Sequence, residues 1–374
     1  MNHQMHQIIG IFSLLFMVVL VCLGAGCVYP INSQLHDNNN SKLFIVGSDF
    51  QTGILQWMAP NDDSLAMGNL HIFQDSRLKQ CNGMLYILEC KGADNVIKYD
   101  PLKENHSGII YQQHLGANWN PVDMQVIDDQ KAYIACENNP AIAIIDPSNG
   151  SLKGQIDISK YAFIPDSGAP ETNPHACRVA FEGNNLYVGL QRLDKNFRPG
   201  FNSLILVIDV RSDSVIDTIQ LKSKNLQDIK IVDGKLYATC PNDAYMTVGD
   251  GDIEAVDCSN HSVNTVVGET PLNGNPLLFV HKYGSLFYVQ TYRAWQDVKV
   301  LEVDFSSGTV VDSVPGVINA YGGIYFDQAD SLLFVGEQGG ADAPAAEIKV
   351  FKNNKLIRRI ASRLPPYGFE LIHF

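Results

Sequence analysis

Residues 120–150 read NPVDMQVIDDQKAYIACENNPAIAIIDPSNG. A turn pair, Asn120-Pro121, leads into an alternating strand. A tight turn gives KAYIACE. A loop with Asn138 and Asn139 then gives a second apolar run, Ile142–Pro147, that carries Asp146 at its end. The same order of parts returns along the chain. KLFIVGS, MLYILEC, KAYIACE, NLYVGLQ, KLYATCP, SLFYVQT and LLFVGEQ place aromatic rings at Phe44, Tyr86, Tyr133, Tyr187, Tyr237, Phe287 and Phe334. Their spacings are 42, 47, 54, 50, 50 and 47 residues. A repeat of this length that contains only strands is one blade of a β-propeller. One such sheet cannot bury both of its faces, whereas seven packed radially can. The chain is therefore predicted to be all-β: a seven-bladed β-propeller with four-stranded blades.

The remaining strands follow the same logic. The third strand of a blade reads VIKYD, IAIID, LILVID, IEAVD or VLEVD, and ends in Asp100, Asp146, Asp209, Asp257 or Asp304. A short carboxylate before turn residues accepts backbone N–H groups. Carboxylates repeated on separate blades cannot converge on one substrate, so their role is structural. More polar outer strands follow, such as SLKGQIDI and DSVIDTIQL. Loops with Asn120, Asn173, Asn225, Asn275 and Asn319 then lead into each innermost strand, three of them as Asn-Pro. That pair is expected to give an extended lead-in that needs no ladder donor. The last segment, Gly368–Phe374, reads as an innermost strand without a blade. The first repeat, at Leu43, lacks one. Joined, they close the ring and leave no open edge.

Bulk composition narrows the function. The 374 residues carry a formal charge of −13, from 40 acidic and 27 basic side chains. Nucleic-acid binding rests largely on Lys and Arg neutralising phosphates, and no run of basic residues is present. Residues 1–26 are uncharged and largely apolar, as in an export segment. The stretch Leu23-Gly24-Ala25-Gly26-Cys27 resembles a bacterial lipobox, which implies that Cys27 is acylated and becomes the mature N-terminus. A plain cleaved signal and an uncleaved anchor are the other readings. Residues 27–41 then form the lipidated N-terminus and tether, and 42–374 the propeller. The expected location is the cell envelope, as an outer-membrane lipoprotein facing the periplasm or the cell surface.

Eight cysteines in an exported chain raise the question of disulfides. Cys22 lies in the signal and Cys27 takes the lipid, which leaves six. Cys90, Cys136 and Cys240 occupy equivalent positions in different blades, too far apart to pair with one another. Cys240 and Cys258 lie near opposite ends of neighbouring strands. Cys136 with Cys177 is the least strained pairing, but the expected role of all six is that of small buried hydrophobes.

The unit at 120–150 resembles the YVTN-type repeat of the YncE-like seven-bladed propellers. Pro121, Tyr133, Asn138, Asn139, Ile145, Asp146 and Gly150 stand in matching places. Trp57 in the first blade and Phe351-Lys352 in the seventh depart from the Val-Ile-Asp pattern. The resemblance implies the fold from Leu43 to Phe374. Its superfamily is similar to lactonases, amine-dehydrogenase heavy chains and binding lipoproteins, so it implies no single activity.

Loops that lead into the innermost strands, and loops between second and third strands, share one end of the channel. They supply a ligand-binding set: Trp119, Asn120, His175, Arg192, Arg198, Tyr292, Arg293, Trp295, Tyr321 and Tyr367. Rings mixed with amides and arginines suit a flat polar ligand, and the arginines suit its carboxylate or phosphate. Catalysis would need His175, Asp123, Asp228 and Glu337 to converge around a water, as in a lactonase. Asp250 and Asp252 are a faint suggestion of calcium, without the ligand spacing of a loop built for it. No GxSxG, HExxH, Walker loop, CxxC or CxxCH occurs, and no cofactor or metal is expected. The favoured reading is a non-catalytic, envelope-anchored binding or scaffold protein, whose partner is a small polar ligand or an envelope protein. The alternatives are a lactonase-like hydrolase and a subunit of an electron-transfer or dehydrogenase assembly.

Overall fold

The computed structural model describes residues 41–164, 171–242, 251–339 and 345–374. Among them are seven four-stranded antiparallel sheets arranged as a propeller. From the axis outward, six blades run in chain order, each beginning at its innermost strand. Those strands are Ser76–Cys81, Pro121–Asp128, Ala176–Glu182, Asp228–Val232, Asn275–Tyr283 and Ile324–Asp327. The remaining sheet, the first blade, is composite. Its innermost strand is Pro366–His373, paired antiparallel with Ser41–Ser48 through Leu43 with Leu371, Phe44 with Glu370, Ile45 with Phe369 and Val46 with Gly368. The two ends of the ring meet as the repeat pattern predicts.

Burial explains why the second strand carries the sequence signal. It faces a neighbouring blade on both sides, so Lys131–Cys136 and Leu332–Glu337 are buried almost throughout. The outermost strands Ile109–His114 and Leu152–Asp157 are largely exposed, which matches their polarity. The core lies between blades. One cluster joins Tyr133, Ile142 and Ile144 to Val179, Val188 and Leu206 of the next blade. Another joins Leu43, Ile45 and Met58 to Phe334, Ile348 and Val350 across the closure. Fully burying such side chains is worth about 1.5–3 kcal/mol each.

Polar ties repeat at these seams. Lys42 Nζ donates to Pro101 O at 2.8 Å, and Lys98 Nζ donates to Pro147 O at 3.0 Å. Lys131 Nζ lies 3.0 Å from Asp213, to which the Tyr133 hydroxyl also donates. Tyr288 Oη donates to Asn354 Oδ1 at 2.8 Å. Each reaches a turn of the adjacent blade. The strand-ending carboxylates do as expected: Oδ1 of Asp100, Asp146, Asp209, Asp257 and Asp304 each accepts a backbone N–H two residues on, at 2.8–3.4 Å.

Three expectations need correction. Asn120, of the Asn120-Pro121 pair, is left-handed, with φ of 53°, rather than extended. Asn225, which no proline follows, and His175 in the fourth blade are left-handed too, with φ of 60° and 57°. Asn tolerates this region because its short side chain bonds locally. In the seventh blade the expected strand from Asn319 begins as a helical turn, Ala320–Gly322, and the strand itself is only Ile324–Asp327. The cause is close backbone approach: a Cβ on Gly322 would lie 2.2 Å from Pro366 O. Finally, Cys90, Cys136, Cys177, Cys240 and Cys258 are free, as read from the sequence. Cys81, equally buried, is disulfide-bonded rather than a free thiol.

Candidate functional site

At the loop-bearing end the channel holds a polar cavity of about 140 Å³, walled by blades two to five. Asp75 and Arg77 enter it from the start of one innermost strand, and Arg178 from another. Asn120, Gln191 and Gln227 come from lead-in and strand-end positions. Lys91 and Glu137 stand at the ends of second strands. Alternation places these groups together, because every second residue of an innermost strand faces the axis.

The charges are partly paired within the walls. Arg77 Nη2 donates to Tyr367 Oη at 3.3 Å, and its guanidinium sits 4.8 Å from the Tyr367 ring. Burial works against its charge, but Tyr367, Cys90, Asp75 and Glu137 hold it protonated, above its ordinary range. Asp75 is buried, with Lys91 Nζ only at 3.9 Å. Asn120, also buried, donates from Nδ2 to Glu137 Oε2 at 2.5 Å and accepts Lys91 N–H at Oδ1 at 2.9 Å. Arg178 donates from Nη1 to Cys177 O at 2.7 Å, and its Nε is 3.4 Å from Asp228. Gln191 and Gln227 both donate to Asn225 Oδ1. Three buried atoms in this lining have no hydrogen-bond partner: Asp75 Oδ1, Arg77 Nε and Gln191 Oε1. Buried polar groups are almost always satisfied. Three orphans in one small cavity therefore mark a place that favours a polar occupant.

Further along the channel the lining stays charged. Lys79 pairs with Asp123 at 3.4 Å and Lys230 with Asp228 at 2.7 Å. Burial pushes the Glu370 carboxyl up to about 7, while Lys79 and Lys230 oppose the shift and Asp123 reinforces it.

The residues expected at the site divide into three groups. Asn120 lines the cavity and Tyr367 backs Arg77. Tyr321, 40% exposed, lies close enough to Tyr367 and Arg77 to feel their charge. Others sit on the rim. Arg192 donates to Tyr161 O and Asn202 O, stacks 4.9 Å from the Phe201 ring, and borders a separate open hollow of about 440 Å³. Arg198 is exposed on the same loop. Arg293 and Trp295 extend from the sixth blade on the hairpin between Leu286–Ala294 and Asp297–Asp304, and Trp295 is 83% exposed. A third group packs inward. Trp119 lies over Gly116, where a Cβ would come within 2.4 Å of the indole, and against a core cluster. Tyr292 packs on the core between blades six and seven. His175 is buried beside Phe197 with ring centroids 5.6 Å apart, and its Nδ1 lacks a partner. Burial pushes its imidazole down to about 4, against the pull of Asp194, so it is neutral at physiological pH.

Among the described residues, none of the three carboxylates named for hydrolysis is hydrogen-bonded to His175. Asp123 accepts Val179 N–H and pairs with Lys79. Asp228 pairs with Lys230 and Arg178. Glu337 accepts Ile318 N–H, Asn319 N–H and Lys349 Nζ. Asp123 and Asp228 are thus committed to partners on neighbouring blades, and Glu337 to partners on its own. Of the residues suggested for calcium, Asp250 lies outside the described residues, and Asp252 accepts Ser223 Oγ.

Sequence reading missed Asp75, Arg77, Lys91, Glu137, Arg178 and Gln191. It searched loops, whereas Arg77 and Arg178 lie within strands. The available signal was a charged residue at an alternate position of an innermost strand, as in SRLKQC and ACRVAFE.

No protein-family model matches the chain, and no curated protein matches its sequence. Solved structures resemble it in fold. One is a functionally unknown protein from Desulfotomaculum acetoxidans, at 15% identity and TM-score 0.60, covering 89% of this chain and 99% of that one. Another is AztD from Citrobacter koseri, at 12% identity and TM-score 0.55, covering 89% and 98%. A third is the dihydro-heme d1 dehydrogenase NirN, at 13% identity and TM-score 0.53, covering 90% and 76%. At such identities the likeness is one of fold.

Proposed function

We propose that this propeller is a non-catalytic binding protein of the cell envelope, of the YncE-like kind, held to a membrane by a lipid on Cys27. The cavity walled by Asp75, Arg77, Asn120, Glu137 and Arg178 receives a small polar ligand. The observation that carries this reading is the cluster of orphaned buried atoms in that cavity. Its volume of about 140 Å³ lies below the range of roughly 300–1,000 Å³ usual for drug-sized ligands, so the ligand is small. The engagement of Asp123, Asp228 and Glu337 by partners other than His175 supports binding over hydrolysis.

Purification of the mature protein from its native host, followed by mass spectrometry of the denatured sample, tests the reading. A single small polar molecule at near-stoichiometric yield is expected, and Arg77→Met should release it without conversion to another product. An Arg77→Met protein that retains the molecule, or wild-type protein that transforms it, would overturn the proposal. The anchor is tested separately. Cys27→Ala should move the protein from the membrane to the soluble fraction.

A further inference from the structure

We infer that the ligand of this cavity is a zwitterion of the α-amino-acid class, its carboxylate on Arg77 and Arg178 and its ammonium on Asp75 and Gln191. The inference rests on the binding role proposed above and adds the chemistry of the occupant. The orphaned atoms specify that chemistry. Asp75 Oδ1 and Gln191 Oε1 are acceptors, and their residues are 6% and 7% exposed. Arg77 Nε is a donor. A complementary molecule brings at least two N–H groups and one anionic oxygen. An ammonium has three donors and no acceptor, and a carboxylate has only acceptors.

The charges agree with this inventory. The lining carries Arg77, Arg178 and Lys91 against Asp75 and Glu137. A simple anion would face two carboxylates, and a simple cation would face two guanidinium groups. A molecule bearing both charges, oriented once, satisfies both sets. A neutral polyol offers hydroxyls to every orphan but brings no charge to complement Asp75, whose nearest cation is Lys91 Nζ at 3.9 Å, or the guanidinium groups of Arg77 and Arg178. Charge-assisted hydrogen bonds are also roughly twice as strong as neutral ones.

Isothermal titration of the mature wild-type protein with a panel of α-amino acids tests the inference. Their N-acetyl and C-amide derivatives, inorganic phosphate and glucose complete the set. At least one free amino acid should bind, and blocking either its amine or its carboxylate should weaken binding tenfold or more. Asp75→Asn should weaken the amino acid at least tenfold while leaving its N-acetyl derivative unchanged. Arg77→Met should do the same with respect to the C-amide. The analogue series needs no variant, so a misfolded mutant does not blunt the test. Binding of phosphate or glucose in place of every amino acid would overturn the zwitterion and leave the binding role standing. Silence from every probe, together with no co-purifying molecule, would overturn both.

Discussion

Two titratable groups, the buried His175 and the half-buried Glu370, give the protein opposite responses to pH, each local to one side chain. The folded-state pKa of His175 is lowered to about 4 from its ordinary 6.5. As pH falls from 6.5 to 4, the unfolded chain takes up a proton that the folded chain declines, so stability falls across that window. His175→Asn keeps a residue that accepts the left-handed backbone and should abolish this slope. It is worth at most about 3 kcal/mol at the acid end, read as melting temperature against pH. Glu370 is shifted the other way, from 4.5 to about 7. The folded chain holds its proton where the unfolded chain has lost it, so stability declines as pH rises from 4.5 to 7. Glu370→Gln should flatten that limb; an unchanged profile would place the carboxyl in bulk-like water. The tryptophans differ in the same concrete way. Trp119→Ala, which strips a ring packed over its own loop, should cost about 2 kcal/mol. Trp295→Ala, at 83% exposure, should change stability by less than about 0.5 kcal/mol. Chemical denaturation of both variants separates the structural ring from the surface one.

Elements deviate from the repeat where backbones crowd. The turn Ala320–Gly322 displaces the start of the seventh innermost strand because Gly322 sits against Pro366 O and Gly336 O, its absent Cβ 2.2 and 2.8 Å from them. Both obstacles are backbone, so neither can swing aside. Gly322→Ala should therefore cost about 2–3 kcal/mol, within the range of overpacked sites. A urea midpoint equal to that of wild type would show that the turn relaxes. The lead-in asparagines obey a related constraint. Asn120 and Asn225 recur in the sequence because a left-handed residue is needed before the chain enters the blade, and His175 meets the same need in the fourth.

Closure is a property of the whole ring. Deleting Gly368–Phe374 removes the partner of Ser41–Ser48 and the buried side chains of Phe369, Leu371 and Ile372. At about 1.5–3 kcal/mol for each buried side chain, the loss rivals the 5–15 kcal/mol that stabilises a typical domain. The truncated chain should lose its cooperative melt altogether. A truncated protein that melts at the wild-type temperature would show that the blades hold together without closure.

What the sequence by itself determined is the repeat and its consequences. Phe44, Tyr86, Tyr133 and their counterparts mark strands buried on both faces, and hydrophobic pattern alone reports that burial. The terminal half-repeats foretold the closure, because each lacks the part the other supplies, and the strand-ending aspartates foretold their turns, because those are local in sequence. The tertiary structure alone decided the site. Asp75 with Arg77, Asn120, and Arg178 with Gln191 lie far apart along the chain and meet only because three neighbouring blades converge on one axis. It also shows what holds Asp123, Asp228 and Glu337, each engaged by a neighbour that no spacing reveals. Ring geometry brings distant residues together, and a one-dimensional pattern carries no measure of distance across the channel.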